Sequence, residues 1–83
     1  MQEEVSLNKQ RRQRLAEAIR TLERVISVLE DARDQEQDGF DNLPDNLQET
    51  ERAQSMEEAI DQLTDAIENI QEASECIQRA CDA

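Results

Sequence analysis

Eighty-three residues, 36% of them apolar and only one aromatic, make one small domain with too little core to fold comfortably alone, so self-association is expected. The formal charge of −12 argues against binding nucleic acid or an anionic membrane and for binding a basic surface. No apolar run approaches the ~20 residues needed to span a bilayer, the start MQEEVSLNKQRR lacks an apolar leader segment, and the chain has no His, Tyr or Trp, so a cytosolic protein that is not an enzyme is expected.

The first predicted element is a long helix over about residues 6–38. Leu15, Ile19, Leu22, Ile26 and Leu29 follow one another at steps of four and three, a heptad seam with Ile19 and Ile26 at position a and the leucines at d. The same register puts Val5 and Phe40 at a and Leu43 at d, but also puts polar Asn8, Arg12, Arg33 and Glu36 on the seam. The helix is therefore expected to pack well only over about 15–32, with its ends meeting water or a partner.

A turn is predicted over about residues 39–49. The only glycine, aromatic residue and proline of the chain, Gly39, Phe40 and Pro44, fall within six positions there. Gly39 can end a helix in the left-handed conformation, and Pro44 disfavours helix at Leu43 while suiting a first helical turn. Phe40, Leu43 and Leu47 are expected to fold back as an apolar plug over the end of the bundle. Asp34, Glu36, Asp38, Gly39, Asn42 and Asp45 also fall at calcium-loop positions 1, 3, 5, 6, 9 and 12. Asp45 is too short for the usual bidentate twelfth ligand, Asp41 occupies an apolar position, and Pro44 sits at position 11. The segment reads as an acidic helix end and turn, and neither a metal nor a cofactor is expected.

The second predicted helix runs over about residues 50–81, capped by Thr50 or by the capping-box alternative Ser-Met-Glu-Glu at 55–58. Its seam is Met56, Ile60, Leu63, Ile67, Ile70, Ser74, Ile77 and Cys81, and Ala59, Ala66, Ala73 and Ala80 precede successive a positions. Three apolar positions per heptad on both helices suit a bundle better than a two-stranded coiled coil. Cys76 and Cys81 diverge by roughly 140° around the helix and cannot bridge each other; Cys81 reads as core and Cys76 as its margin. The expected architecture is all-α, an antiparallel hairpin of two heptad helices that dimerises into a four-helix bundle. Antiparallel packing sets Lys9, Arg11, Arg12 and Arg14 beside Glu68, Glu72, Glu75 and Asp82. It thereby offsets the net +1 of residues 1–33 (seven basic, six acidic) against the net −13 of residues 34–83 (two basic, fifteen acidic).

The sharpest functional feature is the outer face of the second helix. Glu58, Asp61, Asp65, Glu68, Glu72 and Glu75 also step by three and four, and all are carboxylates. Like charges at this spacing cost a few tenths of a kcal/mol per pair, and a face meant only for solubility more often mixes signs. The plain reading is a solvated or intermolecularly paired face. The functional reading is a line of charge offered to a basic groove, since two carboxylates per heptad, about one per 5 Å of axis, crudely imitate a phosphate backbone, whose charge dominates nucleic-acid affinity. The pairs Glu58/Asp61 and Glu72/Glu75 have the spacing of metal-binding helices in nucleotide pyrophosphohydrolases, but at positions f and b they face away from the core.

Residues 34–73, DQEQDGFDNLPDNLQETERAQSMEEAIDQLTDAIENIQEA, resemble a group of small acidic helical proteins encoded by phages and prophages of Gram-positive bacteria. The shared features are an aromatic-D-N-L-P segment after a helix and an acidic heptad helix containing MEEAID. The resemblance covers about half of the chain. It implies a viral accessory protein of the bacterial host cytoplasm. By analogy with other small acidic phage proteins, it implies an inhibitor that binds a host defence nuclease, such as a CRISPR effector, in place of nucleic acid. The competing reading is a structural dimerisation or assembly adaptor.

Overall fold

A computed structural model describes the backbone of residues 2–82 and the side chains of residues 8–82; Val5, assigned to the seam by its register, lies outside the described side chains. Two long helices, α1 (Gln2–Asp41) and α2 (Glu51–Asp82), flank a short 3-10 turn at Asp45–Leu47. They pack along their length as an antiparallel hairpin measuring 69 × 15 × 14 Å.

The seams meet as the heptads require. Leu15, Ile19, Leu22, Ile26 and Leu29 on α1, and Ile60, Leu63, Ile70 and Ile77 on α2, are all half-buried. Only Ala53 and Ile67 are fully buried among the described residues, at 0% and 3% exposure. Ala53 is the a position one heptad before Ile60, so the α2 seam extends three residues further toward the turn than the run from Met56 implied. One hairpin therefore covers only the line where its two helices touch. Ser74, also at an a position, has a buried hydroxyl oxygen with no hydrogen-bond partner.

The turn departs from expectation in two ways. Gly39 does not end α1 in the left-handed conformation: its φ is not positive, and the helix continues to Asp41. The helix stops through a tightened last turn, in which the Leu43 amide donates to the Phe40 carbonyl (3.1 Å) just before the proline. Gly39 instead makes room for α2, because a Cβ there would lie 3.0 Å from Met56 Cε. Since that methyl is the mobile end of a flexible side chain and alanine is favoured over glycine in a helix by ~1 kcal/mol, Gly39→Ala is expected to raise the melting temperature by a few degrees. A fall in thermal denaturation followed by circular dichroism would mean that Met56 cannot move aside.

The plug is smaller than expected. Phe40 and Leu43 are half-buried, but Leu47 is 41% exposed. Leu47 belongs to the 3-10 turn, where its amide donates to the Pro44 carbonyl (2.8 Å) and its carbonyl accepts from the Thr50 hydroxyl (2.7 Å), which holds its backbone at the surface. Thr50 also caps α2, its Oγ accepting from the Ala53 amide at 3.3 Å. The Ser-Met-Glu-Glu alternative lies inside the helix. Phe40→Ala is expected to cost ~1–3 kcal/mol, less than the ~3–5 kcal/mol of a core aromatic, because the ring is only partly covered. Chemical denaturation measures this, and an unchanged midpoint would assign Phe40 to a contact surface instead.

An acidic outer face as candidate functional site

The heptad geometry fixes what each side of the hairpin presents. In an antiparallel pair, e positions line one flank and g positions the other. Glu23, Ile26, Gln71, Ser74 and Glu75 border one concavity, which identifies the e flank. Arg11 and Ala80 border another with Leu15 and Cys81, which identifies the g flank. Positions b and f, next to the e flank, point outward.

Glu58, Asp61, Asp65, Glu68, Glu72 and Glu75 occupy b and f, and every one is exposed. They form a ridge of about 26 Å, given 1.5 Å of rise per residue. No lysine or arginine occurs between Arg52 and Arg79 on the same helix. The arginine-rich start of α1 does not neutralise the ridge through direct pairs. The sole ion pair among the described residues is local, Arg33 Nε to Asp34 Oδ1 at 3.5 Å. The expected juxtaposition of Lys9, Arg11, Arg12 and Arg14 with Glu68, Glu72, Glu75 and Asp82 therefore acts only at longer range. The reason is positional: Arg12 is an a residue on the seam line, level with Cys81 (its carbonyl lies 3.8 Å from Sγ) and so beyond Glu68 and Glu72, while Arg11 and Arg14, at g and c, fall on the flank away from the b carboxylates.

The remaining candidates have other surroundings. Asp34, Glu36 and Asp38 are helical, so they radiate around α1 instead of wrapping an ion, and no three metal-ligating side chains converge among the described residues. Both cysteines are free. Cys81 is half-buried on the seam, but Cys76 is exposed at a c position, outside the core margin assigned to it, where Arg79 donates to its sulfur at 3.2 Å. No described helix is long and apolar enough to cross a membrane.

Comparison with known proteins finds no matching family model and no similar curated protein or solved structure. The functional reading rests on the chemistry of these faces. Periodicity alone identified the acidic ridge. It placed Val25 in the apolar stripe, at g, where the structure leaves it 39% exposed, and it missed Val28, at 66% exposure. Val28 breaks the three-per-heptad pattern by sitting at c, and an apolar residue off that stripe was the available signal.

Proposed function

We propose that this chain is a phage-encoded, non-catalytic inhibitor that binds a nucleic-acid-binding protein of its bacterial host. A defence nuclease such as a CRISPR effector is the proposed partner class, and the host cytoplasm the site of action. The acidic ridge of α2 enters a basic groove in place of a phosphate backbone. The observation that carries this reading is the exposed, single-sign row from Glu58 to Glu75, to which no cation is paired among the described residues. A surface that keeps its like charges together and unpaired tolerates a helix-destabilising repulsion, and a cationic partner would relieve it. The protein acts as a homodimer, two hairpins forming a four-helix bundle. The half-covered seams support this, since two buried residues among the described side chains, 8–82, are a small core.

The test is capture of a partner from lysate of a Gram-positive bacterium on the immobilised protein. A captured nucleic-acid-binding protein should be released as salt is raised and by competing duplex DNA. Capture that resists both would remove the mimicry mechanism and favour the adaptor reading, in which apolar surface holds the partner.

A further inference from the structure

The g flank and the c positions beside it form a second face, opposite in character to the ridge. Although 36% of the chain is charged, this face carries no charge from Ala18 to Gln35 on α1 or from Ser55 to Ala80 on α2. Ala18, Val25 and Ala32 run along α1, and Ala59, Ala66 and Ala73 run beside them along α2 in the opposite direction. Val25 and Val28, the two exposed large apolar residues outside the turn among the described side chains, both lie here. Small residues on both helices let a second pair of helices approach closely without a side-chain layer between.

The chain has the surface to spare. Its accessible area is 6608 Å², whereas a compact monomer of 9.6 kDa exposes about 5,100 Å². The excess of about 1,500 Å² belongs to the whole 69 × 15 × 14 Å rod, and covering one long face by a partner, at ~800 Å² for an interface of standard size, would reduce it.

Charge sets the orientation. The closed half of the hairpin, residues 25–65, holds two basic and thirteen acidic residues, net −11. The open half, residues 8–24 with 66–82, holds seven basic and six acidic, net +1. Two hairpins side by side with turns together would bring two −11 ends into contact. Turned end for end, each acidic closed half lies against a near-neutral, arginine-bearing open half.

We infer that a second copy of this chain docks on the uncharged g–c face, end for end, related by a two-fold axis near Val25 and Ala66. The inference rests on the self-association proposed above and specifies its face and direction. Because b and f lie on the other side of α2 from c and g, the bundle leaves the acidic ridge of each copy open.

Sedimentation equilibrium and a pair of spin labels test it. Wild type should sediment as a dimer. Val25→Glu/Val28→Glu, a change at exposed positions, should keep the helical circular dichroism and weaken the dimer at least 100-fold. Gln71→Glu on the e flank should leave the dimer unaffected. A label at Asn46→Cys, with Cys76→Ser and Cys81→Ser, should report the two turns about 55 Å apart, from 1.5 Å of rise per residue on either side of the axis. A helical wild-type monomer would overturn the self-association itself. A dimer indifferent to the valine charges, or lost with Gln71→Glu, would overturn the face alone. Turns within about 25 Å, the span of two neighbouring helix pairs, would overturn the direction alone.

Discussion

Ile67→Asp is expected to abolish cooperative folding. Ile67 is the only large side chain that is fully buried among the described residues, at 3% exposure, and it sits at an a position near the middle of α2. The substitution removes the burial of a branched aliphatic side chain, ~1.5–3 kcal/mol, and leaves a carboxylate without a partner in the driest part of the seam. Together these approach the whole stability of a small domain. Helical circular dichroism at 25 °C should collapse, and no sigmoidal melt should remain. Glu68→Gln, one residue along but on the outer face, should melt as wild type and so separates burial from a general effect on α2. A cooperative melt of Ile67→Asp near the wild-type temperature would mean that the seam opens to water at this layer.

The second large effect is on binding. Asp61→Asn, Asp65→Asn and Glu68→Gln together remove three successive like charges from the ridge while keeping side-chain size. The fold should be unharmed or slightly stabilised, since like-charge pairs three and four residues apart cost a few tenths of a kcal/mol each. Affinity for the captured partner should fall roughly 10- to 100-fold at low salt, if each exposed charge contributes up to ~1 kcal/mol. The wild-type affinity should decline with salt toward that of the variant, because the lost term is the screened one. Titration calorimetry at two ionic strengths reads both. A partner indifferent to the triple change and to salt would exclude the ridge as its contact.

The hairpin was legible in the sequence because its two determinants are local and periodic: steps of four and three fix the seam faces, and a proline with cap-forming neighbours fixes the reversal. What escaped were matters of space. Gly39 reads as a left-handed helix end whenever glycine precedes a turn, and only the approach of Met56 reveals that the missing Cβ serves packing between helices. Leu47 reads as apolar plug, yet backbone hydrogen bonds of the 3-10 turn hold it at the surface. The ion pairs expected between the halves failed for a similar reason. The register already put Arg12 on the seam and the carboxylates on the outer face; what it did not fix is the level, since Arg12 stands opposite Cys81 and so well beyond Glu68 and Glu72. The ridge itself was fully visible, since b and f positions are as periodic as a and d.

The hairpin topology also orders the steps by which the chain can fold. Contacts near the turn, such as Gly39 with Met56, close a short loop, whereas Arg12 and Cys81 are 69 residues apart. Closure entropy grows with loop length, so the helices are expected to zip from the turn outward. That nucleus lies in the half of the molecule that holds thirteen of the acidic residues against two basic ones. The chain must therefore crowd its like charges together before the arginines of the open end come within range to offset them. Such a barrier is electrostatic as well as entropic, and dissolved ions are expected to speed folding by screening the nucleus.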